Sequence, residues 1–145
     1  MPIPFLNQPW IRAPFLLHWS IEAPAAASFI ITPSLQVPGA SVETKLVLRS
    51  YGSLLLATCV LSMMFLSRPW YDDATITFGF MMAFYHIFPI YRAMARIRNR
   101  NRDGMDGAQS KVLGGPGLHF VVHLTCFVSL LGAAVVALVC PEQRR

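Results

Sequence analysis

The sequence predicts an all-α membrane protein built as a bundle of four transmembrane helices. Three observations point there. Hydrophobic residues make up 54% of the 145 residues and charged residues only 13%, against roughly 25% charged in a soluble domain. Mean hydropathy is +0.49. Apolar runs of roughly twenty residues, the length that crosses a hydrocarbon core, alternate with short polar breaks. A single membrane domain over 1–145 follows, with spans at 15–35, 45–66, 74–95 and 118–140.

Each element has its own warrant. Residues 1–13 are rich in proline and aromatics, which suits an irregular interfacial segment. Pro14 predicts a helix start, because its missing N–H would be unsatisfied there anyway. The first span, FLLHWSIEAPAAASFIITPSL, is interrupted by His18, Glu22, Pro24 and Pro33. It can either cross the membrane or lie on it. Its apolar core is too short and broken for a cleaved leader. Pro38-Gly39 marks the first loop. The second span, KLVLRSYGSLLLATCVLSMMFL, holds Arg49 near its start, where a long side chain snorkels outward. The turn SRPWYDD places Trp70 and Tyr71 at the headgroup layer. The third span contains His86, a kink at Pro89 and a basic end. A Gly-rich loop over 96–117 precedes the fourth span, LHFVVHLTCFVSLLGAAVVALVC.

The formal charge of +5 argues for membrane surface rather than nucleic acid, because the basic residues flank apolar runs. Lys45, Arg49, Arg92, Arg96, Arg98, Arg100, Arg102 and Lys111 fall on one side of a four-span topology, which makes that side cytoplasmic. An endomembrane such as the endoplasmic reticulum is the expected location. Cys59, Cys126 and Cys140 are widely spaced, so neither a disulfide framework nor a zinc motif is present. Met63, Met64, Met81 and Met82 read as packing or lipid-facing residues.

Ionisable groups inside a membrane cost about 2.5–3.5 kcal/mol each on insertion scales and call for a reason. Glu22, His86, His119 and His123 are such groups. At about 1.5 Å per residue, Glu22, His86 and His123 fall at neighbouring depths, and His119 lies nearer the cytoplasmic face. His119 and His123 are i and i+4, on one helix face. Plainer readings stand beside a site. The His86 imidazole could bond a carbonyl freed by Pro89. His119 could be interfacial, Glu22 could serve helix stability, and Arg49 and Arg92 are headgroup anchors.

Desolvation favours the protonated form of a buried carboxyl. Glu22 is therefore a candidate proton donor to an alkene or epoxide, with His86 and His123 orienting it or accepting a proton. Tyr85, His119, Phe84 and Phe127 are candidate substrate-binding residues, and Ser129 could extend the polar column. This chemistry needs no cofactor and no metal. Two histidines on facing helices could alternatively ligate a haem iron, and His119, His123 and Glu22 a metal. The small residues Gly132, Ala133 and Ala134 could pack a partner helix or serve packing within one chain.

The stretches LRSYGSLLLATCVL, FYHIFPIYRAMARI and LGGPGLHFVVHLTCFVSLL carry a resemblance. Roughly residues 45–135 resemble small fungal integral-membrane proteins encoded beside polyketide and meroterpenoid pathway enzymes. The resemblance implies a membrane-bound cyclase or isomerase acting on an isoprenoid or polyketide intermediate, with pathway enzymes or a second copy as partners. The better-known fungal membrane terpene cyclases are longer, with about seven helices and an acidic pair. This chain offers only Glu22, Asp72 and Asp73 as acids. A small anthrone-oxygenase-like protein and a non-enzymatic scaffold are the other readings.

Overall fold

The computed structural model describes residues 9–68, 70–103 and 115–140, and every regular element among them is helical. Helix α1 spans Pro9–Ile31, α2 Pro33–Gln36, α3 Val42–Ser67, α4 Asp73–Asp103 and α5 Gly115–Val139. The chain forms two compact units, one of residues 1–14 with 68–145 and the other of residues 15–67.

Three helices, Val42–Ser67, Asp73–Asn99 and Gly115–Val139, are long and apolar enough to cross a membrane. Burial on them is inverted relative to a soluble protein. The outward faces are apolar, with Leu54, Met64, Met81, Phe88, Val121 and Val128 all more than half exposed. The inward faces hold the polar groups Ser62, Thr75, His86 and His123, each at most 8% exposed. Lipid is as apolar as a leucine side chain, so exposed apolar residues carry no penalty there, while the buried polar ones bond either locally, Ser62 to the Thr58 carbonyl and Thr75 to Asp72, or across helices, His86 to His123.

In the 68–145 unit, α4 and α5 form an antiparallel hairpin. Gly79 lies against Leu130 and Ala134, and seven residues on His86 meets His123. Among the buried positions, 75, 79, 82, 86, 89 and 93 on α4 and 123, 126, 130, 133 and 137 on α5 recur at three and four residues, the spacing of a helix-packing seam, with 76, 78, 83 and 134 buried beside them. Ala133 and Ala134 belong to this seam. Of the two uses open to this face, packing within the chain is the one that takes Ala133 and Ala134, and only Gly132 of that group looks into open space. Helix α4 starts at an Asp72 cap. The Asp72 carboxylate accepts from the Thr75 N–H at 3.0 Å and from its hydroxyl at 2.8 Å, and it pairs with Arg68. Arg12 Nη1 donates to the Arg68 carbonyl at 2.5 Å.

In the 15–67 unit, α3 packs on α1 where Gly52 lets the backbones approach. A Cβ at Gly52 would lie 2.7 Å from the Phe29 Cβ and 3.0 Å from the Ala26 carbonyl oxygen. Ser41 caps α3 by accepting from the Thr44 N–H at 3.2 Å. Gly39, at φ 73°, turns the chain between α2 and α3 in the left-handed region that glycine enters freely.

Several sequence-based expectations are corrected. The first segment, expected at 15–35, begins at Pro9 and breaks at Thr32 before the short α2. Pro33 cannot donate a backbone hydrogen bond, and its ring opposes continuation of the helix. Pro14 therefore sits inside α1 rather than at its start. Its neighbours Ile11 and Phe15 are buried, so packing outweighs the single hydrogen bond lost. Helix α1 is also not among the three helices apolar enough to span. The third helix runs through Pro89 to Asp103, so most of the arginine comb is helical rather than loop. Tyr71, expected at the headgroup layer, is 2% exposed and fits beside the bare Cα of Gly79. Lys111, Arg144 and Arg145 lie outside the described residues.

Candidate functional site

The α4–α5 seam brings two histidines together. His86 projects from the α4 stripe and His123 from the α5 stripe. Their Nδ1 atoms lie 3.0 Å apart, and their ring centroids 5.2 Å apart. His86 is 0% and His123 8% exposed. Such a bond has a fixed chemical grammar. One Nδ1 must carry the proton and donate, and the other must accept. When both rings are neutral, the donor ring has a bare Nε2 and the acceptor ring a protonated Nε2. The pair can therefore take a proton at one Nε2, pass one across the Nδ1 atoms and release one at the other Nε2. Such a transfer requires neither ring to move away.

Tyr85 and His119 lie beside the pair. Tyr85 sets its ring edge-on to His86, with centroids 5.1 Å apart. His119, one turn before His123, stands 6.2 Å from it at 64°. Both are half-buried. Phe127 is one turn beyond His123 and also half-buried. Phe84 is not at the pair. It is 62% exposed and packs edge-to-face on Phe88, because two residues along a helix turn a side chain about 200° away from His86. Ser129 bonds its own helix, at the Cys126 carbonyl. The Nδ1 of His86 is directed across the seam to α5.

The 15–67 unit holds its own polar group. His18 and Glu22 are one turn apart on α1, at 0% and 2% exposure. A ring nitrogen and a carboxylate oxygen of the two lie within 4.8 Å. His18 Nε2 lies 3.3 Å from the Thr58 hydroxyl oxygen. That hydroxyl donates its proton to the Leu55 carbonyl at 2.7 Å, so toward His18 it can only accept. The ring must therefore donate from Nε2, which leaves Nδ1 as the nitrogen that binds or releases a proton in this arrangement.

Sequence reasoning named Glu22 and missed His18 and Thr58. The i, i+4 spacing of His18 and Glu22 was the available signal, since it puts both on one face of any helix through them. Thr58 had no comparable signal, because its partner lies on another helix.

The Asp72 carboxylate of the 67–73 turn is committed to structure. Partial burial pushes the Asp72 carboxyl up, but hydrogen bonds from the Thr75 hydroxyl and N–H, with Arg68 as donor and charge, outweigh it. The carboxyl is held below its usual value. Burial pushes the Tyr71 phenol up to about 12, against a smaller opposing effect of Arg12.

No family model, curated protein or solved structure matches this chain.

Proposed function

We propose that this protein is an integral-membrane enzyme that cyclises or isomerises a lipophilic isoprenoid or polyketide intermediate by proton transfer. The observation that carries the reading is the buried His86–His123 hydrogen bond inside a pair of membrane-length helices. Ionisable groups at such depth are costly, and a complementary-tautomer pair is suited to accepting a proton and returning one. Glu22, with His18 one turn away, is the proposed proton donor. Tyr85, His119 and Phe127 are proposed to line the substrate, and aromatic faces favour a passing cation.

The same reading treats α1 as a fourth spanning segment. Its 23 residues rise about 35 Å. Ile11, Phe15, His18, Glu22 and Ala26 form one buried stripe, while Trp10, Leu16, Trp19 and Ile31 are exposed. The endoplasmic reticulum, and pathway enzymes or a second copy as partners, belong to this proposal.

The test is turnover of candidate alkene and epoxide intermediates by the full chain in lipid nanodiscs, read by mass spectrometry in H2O and D2O. Deuterium should enter the product. His86→Gln and His123→Gln should lower turnover about 10²-fold or more, the usual worth of a positioned acid or base. Wild-type rates from Glu22→Gln and His86→Ala proteins, present at normal levels, would remove the proposed site.

A haem-type redox protein is the second reading, in which His86 and His123, facing each other from adjacent helices, would hold the iron. At 3.0 Å the Nδ1 atoms share a hydrogen bond. Holding an iron between the two rings would require that bond to open. This geometry favours proton handling. A Soret band from the purified protein would reverse that preference.

A further inference from the structure

A buried imidazole pair that handles protons needs a route by which protons reach it. The α4–α5 hairpin offers one at its basic end. We propose that His119 is the proton-exchange point of the pair, so that His119, His123 and His86 form a proton path along the hairpin. The proposal deepens the acid–base reading above and rests on it.

Three observations carry it. The rings step inward in sequence. His119 and His123 have centroids 6.2 Å apart, His123 and His86 have centroids 5.2 Å apart, and the last two share a 3.0 Å hydrogen bond. Exposure falls along the same order, from half-buried His119 to 8% at His123 and 0% at His86. The antiparallel register gives the path its direction. Gly79 lies opposite Leu130 and Ala134 and His86 opposite His123. Moving from His123 back to His119 therefore advances along α4 toward exposed Arg92. Helix α5 begins at Gly115, so His119 is about 6 Å inside the helix end.

The gap between the His119 and His123 rings is short enough for one bridging water or one ring rotation. Protonated His119 gives its proton to the bare Nε2 of His123. His123 passes its Nδ1 proton to the Nδ1 of His86, and His86 releases its Nε2 proton to the acceptor. One N–H bond forms and one breaks at each of His123 and His86, and His119 returns to neutral. The path ends with both tautomers of the pair reversed. Return of a proton by the product, as an isomerisation requires, runs the steps backward and resets it. No oxidant or reductant enters. Tyr85, edge-on to His86, is the phenol nearest in sequence to the inner end.

The experiment follows ring N–H exchange with D2O at His86 and His123, by NMR of ¹⁵N-histidine-labelled full-length protein in nanodiscs. His119→Phe and His119→Gln should both slow exchange at the pair by about tenfold or more, with the His86–His123 hydrogen bond still present. Val121→Ala, on the exposed face of the same turn, should leave the rate unchanged. Wild-type exchange in both His119 variants would overturn the path. The enzyme reading fails separately. Slowed exchange without turnover of any substrate would leave the path and remove the enzyme, whereas turnover with wild-type exchange would do the reverse.

Discussion

Single side chains here divide into those that hold the helices and those proposed to carry protons, and hydrogen-bond donors and acceptors separate the two. Asp72 belongs to the first group. Its carboxylate caps α4 and pairs with Arg68. Its pKa lies below the ordinary value. The stability it contributes is thus present above the unfolded pKa, about 3.9, and is lost as pH falls through the lowered folded value. Asp72→Ala should lower stability by about 0.5–2 kcal/mol at neutral pH, the range for a lost cap. In thermal unfolding followed by circular dichroism, the gap from wild type should narrow on acidification to about pH 3. A gap that stays constant would detach the cap from the carboxylate charge. His86 and His123 were legible in the sequence because helical rise alone puts them at similar depth. Helical spacing also offered His18 beside Glu22, a signal that the sequence reading passed over. The role of Thr58 in orienting His18 was not legible, since it depends on which faces of two helices meet.

Helices as elements follow from residue spacing where the pattern is strong and from proline where it is not. The three longest apolar runs became helices within a few residues of expectation, except that α4 continues to Asp103. Nothing in the arginine-rich stretch breaks a helix, so solvation of its charges does not end it. The first segment was least legible, because Pro14, Pro24 and Pro33 look alike in sequence. Only Pro33 coincides with a break, and local propensity does not say which prolines packing will tolerate. Glycines separate in the same way. Gly52→Ala would drive a Cβ to 2.7 Å from the Phe29 Cβ and 2.9 Å from the Ile30 Cγ1, so α1 and α3 must move apart. A loss of about 1–3 kcal/mol is expected from such overpacking. Gly132→Ala meets nothing within 4 Å and should be neutral, or stabilising by up to about 1 kcal/mol through helix propensity. Unfolding in mixed micelles checks both. Equal effects at the two positions would contradict the close packing at Gly52.

At the scale of the whole molecule, the distribution of polarity carries the account. Apolar side chains face outward from the three membrane-length helices, and Ser62, Thr75, His86 and His123 face inward. This inversion was legible as composition, since 54% hydrophobic residues exceed what one small core can bury. Which polar groups touch was not, because it needs the α4–α5 register and the α1–α3 approach. His86 and His123 are proposed to form one proton-sharing unit within the membrane-length helices. The most direct measurement is the through-hydrogen-bond ¹⁵N–¹⁵N coupling between their Nδ1 atoms, in labelled protein in nanodiscs. The account predicts a resolved coupling, with one ring protonated at Nδ1 and the other not, lost in both His86→Gln and His123→Gln. Two uncoupled rings in the same tautomer would contradict it.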